Sequence, residues 1–263
     1  MPGKNDGFGR HLRDWRGRRR LSQLELSLRS NVSARHLGFV EIGRAAPSRS
    51  LVLRLAEELD VPLRERNVWL VAAGFAPSFA DRALEDPSLD AVRSAIDATI
   101  EAHKPFPAFA IDRRWNVVAS NAALPELYEG VLPELLERPV NVLRLTLHPG
   151  GLAPRLLNLD EWADHLLTRL RRELELTADP RLEALLREGE SLHKPATRAR
   201  RSEPADTRAL TIPFRIQTRL GPLSFFSTVT VFGTPVDVTV SEIALEMLYP
   251  ADPETNARVR FRE

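Results

Sequence analysis

LSQLELSLRSNVSARHLGFVEIGRAAPSRSLVLRLAEELDVP, residues 21–62, decides how the first third of this 263-residue chain folds. Ser22 is followed three residues later by Glu25. At that spacing a hydroxyl takes an orphan amide of the first helical turn while the carboxylate reaches back to the cap amide. A helix therefore starts at Ser22. Leu26, Ser27 and Ser30 face inward within it, because Leu24, Leu26 and Leu28 share no stripe. Asn31 tolerates the left-handed backbone of a tight turn, Ser33 caps the next helix, and Gly43 stops that helix after Ile42. Leu37 and Val40 form its inner face, which leaves Ala34, Arg35, His36, Gly38 and Phe39 outward or lateral. Pro47 and Ser48 open a further helix whose inner stripe is Leu51, Leu55, Ala56 and Leu59, closed by Asp60 and Pro62.

Working outward, Phe8, Leu12 and Trp15 put one apolar face on a first helix that ends near Arg20. A fifth helix runs from Leu63 to Ala73 and ends at Gly74. The head, residues 1–76, is thus expected to be an all-α unit of five short helices. The overall charge of +1 hides an asymmetry: residues 1–75 carry 14 Lys and Arg against 8 Asp and Glu, a net of +6, and the remainder nets −5. A basic head on an acidic body suits a polyanion-binding domain joined to one that avoids polyanions.

The SQxxL opening and ExGRxxPS closing of residues 21–62 resemble the Cro and lambda-repressor type helix-turn-helix, the XRE family. That resemblance implies a double-stranded DNA partner. Ser22 and Gln23, at a helix N-terminus rich in free amides, would meet phosphate. Ser33, Ala34, Arg35 and His36 would head the helix that enters the major groove, with Arg35 reading a guanine edge by two hydrogen bonds. Arg44, Ser48 and Arg49 would meet the DNA backbone, and Arg16, Arg18, Arg19 and Arg20 would add attraction blind to sequence. Glu41 is expected to be structural, tied to amides or an arginine, since a carboxylate beside phosphate repels it. Phe39 is read as core, as a contact to a base methyl group or as a dock for the body, with the dock favoured. Two heads on half-sites roughly 34 Å apart imply a homodimer.

After Pro77 the composition shifts. Residues 77–104 read as a linker with a connecting helix through Ile96 and Ile100, and residues 105–263 as an α+β domain. Phe109 to Asp112 and Trp115 to Ala119 form strands around the charged turn Arg113 and Arg114, and Asn121 caps Ala122 to Tyr128. A long helix spans Asp160 to Leu176 and a shorter one Asp179 to Glu188. Three late strands are expected, Leu210 to Arg219, Leu223 to Phe232 and Asp237 to Tyr249, in antiparallel order. The segments IDRRWNVVASNAA (111–123), NVLRLTLHPGGLAP (141–154), NLDEWADHLLTRLRRE (158–173) and TADPRLEALL (177–186) resemble the ligand-binding domain of MmyB-like regulators, a PAS-like fold that follows an XRE head.

This second resemblance implies a small hydrophobic ligand, fatty-acyl-like or a fatty acid, in a cavity between sheet and helices. The residues placed there are Phe109, Ile111, Val117, Leu166, Leu170, Phe214, Phe225, Phe226, Val229 and Val231, with Asn121 and His148 as polar anchors. Each apolar one is also accounted for by ordinary core packing, Asn121 by capping and His148 by fixing its loop. The two resemblances together imply a transcription regulator whose effector shifts the arrangement of its heads.

Several classes are set aside by the residues themselves. The chain has no cysteine, so disulfides and thiolate metal sites are excluded. No HExxH, GxSxG, GxxxxGKS or GxGxxG is present, and no catalytic set is visible. Asp160, Asp164 and His165 on one helix read as a solvated face, and no metal or cofactor is expected. The charged N-terminus and the absence of a long apolar run point to a cytoplasmic protein without membrane contact. The rival reading is a metabolite-binding protein or enzyme that uses the helical head to dock a partner.

Overall fold

In the computed structural model residues 6–193 and 211–260 are described, and they form two compact units. The first takes in the chain up to Arg82 and two later segments, 175–177 and 235–241; the second takes in the rest. The head has the expected five helices: α1 (Asp6–Arg18), α2 (Gln23–Arg29), α3 (Ala34–Glu41), α4 (Arg49–Glu58) and α5 (Leu63–Ala72). Phe8, Leu12, Trp15, Leu26, Leu37, Val40, Leu55 and Leu70 meet in one buried core, while Leu24 and Leu28 are 61% and 73% exposed.

One backbone device ends all five helices. Arg20, Asn31, Gly43, Asp60 and Gly74 each take a positive φ just past the helix. The next amide then reaches back five residues, as in Val32 N to Ser27 O (3.0 Å), Arg44 N to Phe39 O (2.8 Å) and Val61 N to Ala56 O (2.9 Å). This satisfies carbonyls that have no partner within the helix. In four of the five cases the donor residue is apolar: Leu21, Val32, Val61 and Phe75 all pack into or against the head core. The turn thereby reverses the chain and buries a side chain in one step.

The second unit is an α+β domain. Its helices are α6 (Asp90–Glu101), α7 (Pro133–Leu136), α8 (Val142–Leu147), α9 (Leu159–Thr177), α10 (Pro180–Leu192) and α12 (Pro253–Arg260); α11 (Val238–Ser241) belongs by contacts to the first unit. The strands are β1 (Ala108–Ile111), β2 (Val117–Ser120), β3 (Phe214–Thr218), β4 (Gly221–Val231) and β5 (Ala244–Pro250). They pair antiparallel in the order β2-β1-β5-β4-β3. Strand side chains alternate between faces, and here both faces are covered. Leu245 and Met247 of β5 join Ile96 and Ile100 of α6 in a small core. Ala244 and Leu248 join the large core with Trp115, Trp162, Leu166, Phe214 and Phe225.

Several expectations change. Helix α6 is no connector: it packs on β1, β2 and β5 and belongs to the second unit. Residues 238–241, expected to be strand, are the turn of α11, because the Asp237 carboxylate accepts from the amides of Thr239 (2.9 Å) and Val240 (3.3 Å). Only Pro125–Tyr128 of the segment 122–128 is helical, as a 3-10 turn. The apolar run after Asn141 is α8, capped by the Asn141 side chain on Arg144 N (3.2 Å). Helix α12 was not expected, though Asp252 before Pro253 is a start signal: its carboxylate accepts from Thr255 N at 2.6 Å. Leu210, expected to begin a strand, lies outside the described residues.

Gly9 tests the packing of α1 on α3. A Cβ there would lie 2.3 Å from the Glu41 carbonyl oxygen and 2.9 Å from that of Val40, whereas one at Gly17 meets nothing within 4 Å. In an ordinary helix Gly→Ala stabilises by roughly 0.5–1 kcal/mol. Gly17→Ala is expected to follow that rule, and Gly9→Ala to reverse it with a loss of about 1–3 kcal/mol from overpacking. Thermal unfolding of the two variants side by side reads the opposite signs.

Candidate nucleic-acid interface and ligand cavity

The N-terminus of α3 is open to solvent. Ser33 caps it, accepting from His36 N at 3.2 Å, with Ser33 and Arg35 exposed and Ala34 and His36 half-buried. Leu37 and Val40 are fully enclosed beneath them. The Arg35 guanidinium carbon lies 5.5 Å over the ring of Phe39, and Arg35 makes no hydrogen bond or ion pair among the described residues. Phe39 is half-buried under that cation. Arg44, Ser48 and Arg49 are exposed along the α3–α4 connection. Ser48 accepts from Leu51 N (3.2 Å), and Arg49 Nη2 donates to Ser78 Oγ (2.6 Å).

The residues expected at phosphate from α2 are partly engaged inside the head. Ser22 and Glu25 complete the reciprocal cap: Glu25 N donates to Ser22 Oγ (3.1 Å) and Ser22 N to Glu25 Oε2 (2.7 Å). The Ser22 amide also holds the Glu25 carboxyl below its ordinary value. Gln23 Nε2 donates to Glu41 Oε2 at 2.6 Å, and Arg16 grips both oxygens of that carboxylate at 2.6 and 3.1 Å. Glu41 is therefore structural and tied to an arginine. Two of the four arginines expected to draw DNA without regard to sequence also have local work. Arg16 holds Glu41, and Arg19 Nε donates to Leu59 O (2.8 Å), a carbonyl at the end of α4. A guanidinium there satisfies an orphan acceptor and the negative pole of the helix.

The second unit contains a partly open cavity of about 50 Å³ between the sheet and its helices. Its walls are Phe109, Val117, Phe214, Glu246 and Leu248 from the sheet, and Leu124, Leu127, Tyr128, Val142, Leu145, Thr146, Leu152, Trp162 and Leu166 from the helical side. Four residues singled out in the sequence line it: Phe109, Val117, Leu166 and Phe214. Ile111, Leu170 and Phe225 belong to the same core without touching the cavity. Phe226 lies elsewhere, stacked on Tyr249 at 5.3 Å. Val229 and Val231 share the face of Glu246 and Ala244 by register, but they lie beyond the helical cover and are 48% and 62% exposed.

Both polar anchors are used locally. Asn121 is buried with its amide spent on Ala108 N, Ala123 N, Ile100 O and Phe106 O. His148 ends α8 and accepts from Gly150 N at 2.9 Å, which fixes the loop. The polar groups that do line the cavity are Glu246, Tyr128 and Thr146, none of them expected. Burial pushes the Tyr128 phenol up to about 12, so it is neutral. Beside the cavity His165 is pushed down by burial and by Arg169. Among the described residues no group of His, Asp and Glu is arranged to hold a metal ion, and no helix is long and apolar enough to cross a membrane.

A basic helix-turn-helix head and a separate α+β domain with an apolar cavity define a DNA-binding transcription regulator that carries a ligand-binding domain. Residues 12–66 match the helix-turn-helix family model, and residues 92–261 match that of the MmyB-like transcription regulator ligand binding domain. The second match covers more than half of the chain, and the protein belongs to the MmyB-like transcription regulator family. No curated protein matches it.

Glu41→Ala would leave Arg16 and Gln23 without their acceptor. Breaking a buried pair leaves the other charge uncompensated, so the head is expected to lose about 2–3 kcal/mol, less than for a fully enclosed pair because Arg16 keeps some contact with water. Thermal unfolding checks the loss, and unchanged stability would remove Glu41 from its structural role.

Proposed function

We propose that the protein binds duplex DNA sequence-specifically as a homodimer, with the N-terminus of α3 in the major groove and Arg35 as the base-reading side chain. The observation that carries this reading is the roll of α3, with Leu37 and Val40 enclosed and Arg35 outward without a charged partner among the described residues. Arg44, Ser48 and Arg49 act on phosphate. The second unit binds a small hydrophobic effector with a fatty-acyl-like body in the cavity between sheet and helices, and occupancy changes affinity for DNA. The apolar lining supports a chain-like body. Because one water centre takes roughly 10–15 Å³, the cavity at about 50 Å³ has room for a short alkyl stub. A longer effector enters by displacing the wall.

Arg35→Ala is expected to lose about 1–3 kcal/mol of discrimination at one base position. Arg49→Ala is expected to weaken all sequences alike and to lower the salt slope of log affinity by about one. Selection from a randomised duplex pool, followed by titration at several salt concentrations, separates the two. An equal loss at every base for Arg35→Ala would remove its reading role, and binding insensitive to salt would remove the DNA reading altogether. Mass spectrometry of a denatured extract of the purified protein is expected to release an apolar small molecule.

A further inference from the structure

His103, Lys104 and Phe106 follow the last turn of α6. Across an open cleft of about 610 Å³ they face Tyr249 near the end of β5 and Asn256 and Arg260 of α12. Alternation along β5 puts Tyr249 on the side of Leu245 and Met247, opposite Glu246 and Leu248. The cleft therefore lies on the α6 side of the sheet and shares no lining residue with the apolar cavity. Its size falls within the range of small-molecule sites, roughly 300–1,000 Å³.

One wall is ring surface. His103 packs at a steep angle against Tyr249, 4.5 Å between ring centres, and lies 5.9 Å from Phe106. Its Nε2 sits 2.8 Å from Leu248 O, and because a carbonyl only accepts, Nε2 donates and the ring is held in place. The opposite wall offers donors. Arg260 Nε donates to Asn256 Oδ1 at 2.9 Å and the guanidinium carbon lies 5.3 Å over Phe106, while Nη1 and Nη2 make no hydrogen bond among the described residues. That free pair is the end-on fork that matches both oxygens of a carboxylate. With its oxygen taken, Asn256 has only amide hydrogens to offer the cleft.

The other charges nearby are already met. Lys104 pairs with Glu101, and the Asp252 carboxylate accepts from Thr255 N (2.6 Å) and Thr255 Oγ1 (3.1 Å). Asp252 stands eight residues before Arg260, about 12 Å along the helix axis, so it is no partner for that guanidinium. The end of α6, whose dipole favours a cation, is closed: the carbonyls of Ala98, Ile100 and Glu101 accept from the amides of Ala102, His103 and Lys104. One guanidinium is left without a counter-charge beside ring surface.

We propose that this cleft is a second small-molecule site and that it takes an aryl carboxylate, with the ring against His103 and Tyr249 and the carboxylate on Nη1 and Nη2 of Arg260. Asn256 and Phe106 hold the guanidinium before any ligand arrives, so little side-chain freedom is lost on binding. A single fork suits a single negative charge. The reading of the apolar cavity stands or falls separately.

The test is calorimetric titration of the full-length protein at neutral pH with 2-naphthoate, 2-naphthylmethanol and decahydro-2-naphthoate. The first two share a ring and differ in charge; the first and third share the charge and differ in aromaticity. Naphthoate is expected to bind about five- to tenfold more tightly than either. Arg260→Gln, on an exposed side chain, is expected to cancel the advantage over the alcohol and to leave the alcohol within about twofold of its wild-type affinity. Arg260→Lys, which keeps the charge without the fork, is expected to recover only part of the loss. The alcohol binding wild type as tightly as naphthoate overturns the anion assignment, and the saturated acid doing so overturns the aromatic one. Undiminished naphthoate affinity in Arg260→Gln places the anion elsewhere, the apolar cavity included, and overturns the cleft as its site. Absence of naphthoate binding at millimolar concentration overturns the proposal outright.

Discussion

The geometry of the head depends on a carboxylate out of contact with water. Glu41, the last residue of α3, takes Arg16 of α1 on both oxygens and the Gln23 amide of α2 on one of them. Its carbonyl oxygen accepts from Arg13 at 3.1 Å, and that same carbonyl is the atom a Cβ at Gly9 would strike. A buried carboxylate is tolerated only with donors in place, so the side chain must point toward α1 and α2 at once. That fixes the rotation of α3 about its own axis. With 3.6 residues per turn, Arg35, six positions earlier, then lies about 120° away from Glu41 on the helix surface. The surface available to DNA is set by a contact that itself never reaches DNA.

The same economy appears in the helix ends. Non-glycine residues in the left-handed region cost roughly 1–2 kcal/mol each, yet Arg20, Asn31 and Asp60 accept it. The compensation is local: the following residue donates to a stranded carbonyl, and its side chain enters or packs against the core, as Leu21, Val32 and Val61 do. Short helices of seven to thirteen residues have little stability by themselves. The turns that join them supply part of what the helices lack.

Legibility in the sequence follows locality. Caps and turns act over three to five residues, so Ser22, Asn31, Ser33, Gly43 and Ser48 were readable as punctuation, and the inward pair Leu37 and Val40 followed from spacing alone. The sheet was not readable in this way, because β1 pairs with β5 about 135 positions along the chain and no short pattern encodes that neighbour. Alternation placed Val229 and Val231 on the correct face but could not show where the helical cover ends. Asn121 and His148 were visible as polar residues near apolar runs; that their hydrogen bonds are spent on neighbouring backbone or loop atoms is a tertiary fact. Glu246 left one trace: a charge between Ala244 and Leu248 at an inward period-two position, easily taken for the outward side of a strand.

The size of the cavity bears on what kind of binding site it is. A preformed chamber of full ligand size would store an apolar molecule without changing shape, and a site with no differential affinity between two states shifts no equilibrium. Here Leu127 and Tyr128 form part of the wall around a space of about 50 Å³. It is held by the Arg155 guanidinium, which donates to the carbonyls of Leu127 (2.9 Å) and Glu129. Burial pushes that guanidinium down, and one of its nitrogens has no hydrogen-bond partner among the described residues. Each methylene taken from water contributes about 0.8 kcal/mol, and a chain of several carbons offsets the loss of two or three such hydrogen bonds. An apolar ligand that displaced this wall would distinguish two arrangements of it, and such a difference in affinity is what linkage requires.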